Sequence, residues 1–165
     1  MRKNDVFLII TILFSVSAFS REFVQNGSSM EPTIKAGQTV EIGILSSFGY
    51  EPSRWDVVAV KNPQQFNLLV FRIVGLPNET IQLEEDGVYI NDEKMPLPEK
   101  LMESGVHYLP ASAVIKDKKY SNSLYTTGEE EYFLLGDNTV NANDSRFELG
   151  IIHRSLILNK VEGDL

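Results

Sequence analysis

The sequence contains no cysteine. That excludes disulfides, thiolate metal sites and a cysteine nucleophile. Histidine is scarce: His107 and His153 lie far apart in the chain, and two imidazoles alone do not make a zinc site. Positive charge is short as well, with 15 Lys and Arg against 23 Asp and Glu, for a net charge of -8. A nucleic-acid partner demands a basic patch to neutralise phosphates, so this balance argues against one. Internal repeats and low-complexity stretches are also missing. What is present is enough apolar material, 42% of 165 residues, for one domain with a real core. No cofactor and no metal are implied.

One long uncharged run stands out. Residues 6–20 (VFLIITILFSVSAFS) follow a polar start that holds Arg2 and Lys3; Arg21 and Glu22 close the run, and Phe23 and Val24 add apolar weight. As a helix the run would span about 22 Å at about 1.5 Å per residue. A bilayer core of about 30 Å is thicker, a difference that snorkelling or local thinning accommodates. One reading is a membrane anchor over residues 1–24, a transmembrane helix with Arg2 and Lys3 on the cytoplasmic side. Another is a cleavable signal peptide with Val16-Ser17-Ala18 as its small-residue site. Both put residues 25–165 outside the cytoplasm. A buried helix of a soluble fold fits less well, because the run is apolar on every side behind a polar cap.

The remainder reads as mainly β. Residues 39–45 (TVEIGIL), 57–60 and 68–74 alternate or run apolar, and residues 80–83 and 87–90 follow, with Asn91-Asp92 as a turn. Residues 131–135 make another short strand that ends at Gly136, and residues 151–161 supply the last one or two. Short strands with Gly, Pro and Asn punctuation predict a sheet-rich, barrel-like fold. Residues 93–130 are richer in charge, contain Pro96, Pro98 and Pro110, and read as an excursion from the main sheet.

Chemistry concentrates in a few segments. Gly27-Ser28-Ser29-Met30-Glu31-Pro32-Thr33-Ile34 has a flexible Gly before its serines and a Pro that fixes the turn behind them. Such a loop can project a hydroxyl while aiming a backbone N–H at an oxyanion; an ordinary Ser-rich surface turn would look the same. Further on come Arg54-Trp55-Asp56-Val57-Val58, then Phe71-Arg72-Ile73-Val74-Gly75-Leu76-Pro77, then Gly136-Asp137-Asn138 with Asn143-Asp144-Ser145-Arg146. In order and spacing these resemble the boxes of the type I signal peptidases: the SM-x-PT element, the GD-x-V-V strand, the KR-x-x-G-L-P-G-D strand and the GDN…DSR element. The resemblance runs from about Gln25 to Ile152.

The resemblance implies a mainly β, membrane-bound serine endopeptidase that cuts exported preproteins near the membrane surface. It implies Ser29 as nucleophile, with Gly27, Ser28, Met30, Pro32, Asp137, Asn138, Asp144, Ser145 and Arg146 shaping and supporting the site. Exported preproteins or their signal peptides, and the lipid bilayer, are the implied partners. The family base is a lysine, which works as one only if burial lowers its pKa from about 10.4.

Here the pattern breaks. The lysine position is Phe71, which cannot accept a proton. The serine that orients the lysine in many bacterial members is Ala142, the arginine that often follows GDN is Thr139, and the G-D after the third box is Asn78-Glu79. The candidate replacement bases are Lys61, at a strand end where solvation is expected, Lys35 beyond Pro32, His153 and Glu31; none is favoured. Asp144 with Arg146 reads as a structural ion pair, Gly136-Asp137-Asn138 as a turn behind the site, and Trp55 as a core or a lipid-facing residue. Two functions follow: a signal peptidase I-like enzyme, or a catalytically impaired relative that binds exported peptides or pilins as a chaperone or assembly factor. A self-cleaving repressor-type protease, which shares the serine–lysine fold, is opposed by the apolar amino-terminal run and the absent lysine.

Overall fold

The structure, a computed structural model, describes residues 20–43, 49–65, 67–163 and 165. Its first strand, β1 (Ser20–Val24), runs antiparallel to β2 (Thr39–Gly43), with Ser20 opposite Gly43 and Val24 opposite Thr39. Ser20–Val24 therefore belongs to the sheet and not to the end of the apolar run, where the sequence placed it. The rest of that run lies outside the described residues. Among the described residues no helix is long and apolar enough to cross a membrane.

The strands that follow are β3 (Val57–Lys61), β4 (Leu68–Gly75), β5 (Thr80–Glu84), β6 (Gly87–Ile90), β7 (Glu93–Met95), β8 (Leu124–Thr126), β9 (Glu131–Leu135), β10 (Ile152–His153) and β11 (Ile157–Lys160). Five of them form one antiparallel sheet in the order β10-β9-β4-β3-β11, and four form another, β7-β6-β5-β8. A bridge between Ile42 and Val161 joins the β1–β2 pair to the five-stranded sheet. The mainly β architecture expected from the punctuation is present.

Residues 93–130 do more than leave and return. They supply β7 and β8, the two outer strands of the four-stranded sheet, with two short helices between them, α1 (Glu99–Glu103) and α2 (Ala111–Val114). Asn91 and Asp92, with φ of 51° and 69°, make the tight turn that pairs β6 with β7. Three-residue strands carry too little alternation to be read from sequence.

The apolar runs of β4 and β9 have a physical reason. Side chains alternate across a strand, and this pair is covered on both faces. Phe71, Ile73, Tyr132 and Leu134 enter one core with Met30, Ile34, Val58 and Ala142. Val74, Phe133 and Leu135 enter a second with Ile81, Leu83, Leu101 and Tyr108. A strand buried on both sides reads as continuously hydrophobic.

Candidate active site

β1 delivers the chain to Gln25, whose main chain is pinned on both sides: its N–H donates to Gln38 O at 2.9 Å, and Gly37 N–H donates to its carbonyl at 2.6 Å. The Gln25 side chain turns inward and is 5% exposed. Its Nε2 donates to Gly27 O at 3.1 Å and to Ser29 Oγ at 3.2 Å. Gly27 O can only accept, so this bond fixes which end of the amide faces the serine. Met30 and Ile34, both fully buried, anchor the following turn, which is closed by a bond from Ile34 N–H to Met30 O at 2.9 Å. Ser28 and Ser29 stay half-buried above that anchor, and Pro32 is exposed.

The loop is held from behind by the segment after β9. Asn138 donates from its backbone N–H to Ser29 O at 3.0 Å and from Nδ2 to Ser28 O at 3.1 Å. Gly136 allows this approach: a Cβ there would come within 2.5 Å of Ser29 O and would also overlap the Ala142 methyl. Ser29, Gly136 and Ala142 therefore meet. Phe71 belongs to the same place. Arg72 pairs with Leu135 across β4 and β9, so Phe71 lies one step on, level with Gly136. Its ring is 3% exposed, in the core that also contains Met30 and Ala142. Ser29, Phe71 and Ala142, which the sequence reading set at the nucleophile, base and orienter positions, thus lie around Gly136, with Phe71 and Ala142 both in the first core.

On the opposite face of β4, Arg72 is 1% exposed. It pairs twice with Asp137, Nε to Oδ1 at 2.9 Å and Nη2 to Oδ2 at 2.7 Å, and donates to Trp55 O at 2.7 Å. Asp137 also accepts from Tyr108 Oη at 2.6 Å and from Thr33 Oγ1. Burial pulls the Arg72 pKa down, but the Asp137 bonds outweigh it and the net direction is up. Burial, and after it the Asp137 charge, holds the Tyr108 phenol well above its ordinary value, so it remains a donor. A second pair, Asp144 with Arg146, is bidentate at 2.9 and 2.7 Å with both side chains fully buried. Asp144 also accepts from Gly136 N–H at 3.0 Å, and Arg146 donates to Leu109 O and to Thr139 O and Oγ1, each at 2.8 Å. Ser145 exchanges two bonds with Leu134, at 2.9 and 3.0 Å.

None of the candidate replacement bases shares a hydrogen bond with Ser29 Oγ among the described contacts. Lys61 and Lys35 are exposed. His153 is exposed, 3.1 Å from Glu130, with its Nδ1 against Ser155. Glu31 accepts from Ala36 N–H at 3.3 Å. Two further departures from the family boxes are absorbed by the backbone. Trp55 and Asn78 stand where those boxes carry glycine, and both have left-handed φ, 73° and 60°. Glu79, in place of the box aspartate, ion-pairs with Arg54 and accepts from Leu76 N–H at 2.7 Å. The Trp55 ring is half-buried, packs against the second core and stacks on Tyr108 at 6.4 Å.

Residues 3–163 match the model of the family described as signal peptidase, peptidase S26. The chain belongs to that family. It is 32% identical over 138 residues to signal peptidase I of Rickettsia typhi, covering 70% of this chain and 52% of that protein. It is 34% identical over 128 residues to signal peptidase I of Rickettsia felis, covering 64% of this chain and 48% of that protein. Among solved structures it resembles a signal peptidase I from Enterococcus faecalis V583, with a TM-score of 0.52 and 25% identity, over 68% of this chain and 98% of that one. The chain thus spans about half the length of the curated signal peptidases it matches.

Three residues of the signal peptidase-like site were not singled out in the sequence: Gln25, Thr33 and Tyr108. Thr33 is the last residue of the SM-x-PT element, whereas nothing in the spacing marks Gln25 or Tyr108. One available signal was Arg72 in the middle of an apolar strand, because a buried guanidinium demands a carboxylate partner.

Proposed function

We propose that this protein engages the signal peptides of exported preproteins at the outer face of a membrane, with Ser29 at the centre of the site, and that it holds them far better than it cuts them. Family membership and the relatives' identity as signal peptidase I support the first part. So does the sheet: Leu68–Phe71 pair with β3 on one edge, but β9 meets β4 only at Arg72, Ile73 and Gly75, so their other edge has no strand partner among the described residues. An extended peptide can add to such an edge, with alternate side chains in pockets.

The observation that carries the second part is Phe71, buried beside Ala142 and Met30 where a proton acceptor would have to sit. Loss of a positioned general base lowers the rate by on the order of 10²- to 10⁴-fold. Ser29 Oγ accepts a bond from Gln25 and meets no lysine or histidine among the described residues. A full serine endopeptidase is the second reading, favoured by the Asn138 bonds that keep the Ser29 loop in place.

Purified protein in detergent, beside its Ser29→Ala variant, decides between them. The expected result is saturable binding of a signal-peptide substrate with no cleavage above the variant. Ser29-dependent turnover at an ordinary protease rate overturns the holding role, and failure to bind any signal peptide overturns the whole reading.

A further inference from the structure

The Gln25 amide sets the polarity of the Ser29 hydroxyl. An amide N–H can only donate, and a hydroxyl has two lone pairs and one proton. With Nε2 directed at Oγ, Ser29 receives a hydrogen bond on a lone pair, and its own O–H remains free to donate. This differs from an activated nucleophile, in which the O–H points at a base that takes its proton. The arrangement is built in. Gln25 is buried, its main chain is tied on both sides to the turn before β2, and its second amide proton is spent on Gly27 O. Ser29 itself is half-buried at the surface of the loop, within reach of a ligand that lies against it.

We infer that Gln25 is a positioning residue that turns Ser29 into a hydrogen-bond donor for a main-chain carbonyl of a bound extended peptide. In this signal peptidase-like site the serine serves recognition, because the amide that faces it can donate a proton but cannot take one. The inference rests on the peptide-holding reading above. No bond is made or broken in it.

The test exploits the opposite polarity of carboxylate and amide. Gln25→Glu changes almost no volume, yet places an acceptor at 3.2 Å from Oγ in place of the donor. The Ser29 O–H then turns toward the carboxylate, away from the peptide, and the oxygen becomes an attacking nucleophile. A fluorophosphonate probe reads this directly: Ser29 Oγ bonds phosphorus, fluoride leaves, and the carboxylate takes the proton. In full-length protein in detergent, labelling of the unaltered chain is expected at the level of Ser29→Ala. Gln25→Glu is expected to raise it by on the order of 10²-fold, increasing with pH as the new carboxyl ionises. Affinity for a fluorescent signal peptide is expected to fall about three- to tenfold in both Gln25→Glu and Ser29→Ala, and by no more in the double variant.

Labelling of Gln25→Glu no faster than that of Gln25→Met, at every pH, overturns the clamp. So does a Gln25→Met effect on peptide affinity that persists unchanged in the Ser29→Ala background; this comparison serves even where Gln25→Glu does not fold. Failure of the unaltered protein to bind signal peptide counts against the peptide-holding function alone, since labelling tests the clamp separately.

Discussion

At the scale of single residues, the proposed loss of a base turns on Phe71 and Ala142. Their side chains share one core beside the Ser29 loop, and 3% and 5% exposure means that whatever stands there is desolvated. Burial disfavours a charged ammonium, so a lysine at position 71 would have its pKa drawn down from about 10.4 toward the range of a working base. A serine at 142 would give that amine a hydrogen-bond partner. Phe71→Lys with Ala142→Ser is therefore expected to install Ser29-dependent cleavage of a signal-peptide substrate, at least about 10²-fold above the unaltered chain in a single-turnover assay. No gain from the double change, in protein that still melts cooperatively, would mean that Gln25 or the peptide groove blocks chemistry on its own. Trp55 shows the same tolerance in the backbone. A bulky residue with left-handed φ is strained by about 1–2 kcal/mol, and here stacking on Tyr108 and packing on the second core offset it.

At the scale of elements, Asp137 is where separate parts of the chain are tied together. It accepts from Arg72 on β4, from Thr33 on the serine loop and from Tyr108 between the two short helices. Replacing it by Asn keeps the shape but leaves the fully buried Arg72 guanidinium without a counter-charge. Asp137→Asn is expected to lower stability by about 3–5 kcal/mol in chemical denaturation. A loss below 1 kcal/mol would mean that water or another acceptor reaches Arg72. This knot explains which parts of the molecule the sequence made legible. The long strands were readable because β4 and β9 are apolar on both faces and β2 and β5 alternate. The serine loop and the Gly136-Asp137-Asn138 turn were readable because four boxes recur in order. The partners of Asp137 were not, since Tyr108 sits in a charged, Pro-containing stretch and contact across it depends on the folded sheet. β1 was hidden for a different reason: Ser20–Val24 pairs through its backbone while Arg21, Glu22 and Val24 stay exposed, so no apolar alternation announces it. Gln25 follows from β1, because only the strand and its turn direct that amide at Ser29.

At the scale of the whole molecule, the sheet constrains where the site can stand relative to a membrane. β1 starts at Ser20, the last residue of the uncharged run, and the nine steps from there to Ser29 reach at most about 30 Å when fully extended. If the run holds the chain in a bilayer, as proposed, the peptide site stays within about one bilayer thickness of the surface, where an exported chain emerges. The proposed function has Arg2 and Lys3 on the inner side of the membrane and the domain on the outer side. Because the sequence has no cysteine, a single introduced thiol reports its own side. Lys61→Cys, at the exposed end of β3, is expected to react with a membrane-impermeant maleimide in intact cells stripped of their wall, whereas Lys3→Cys reacts only after the membrane is opened. The reverse pattern would put the site in the cytoplasm, where translocated signal peptides are never presented to it, and would remove the proposed function whatever the chemistry at Ser29.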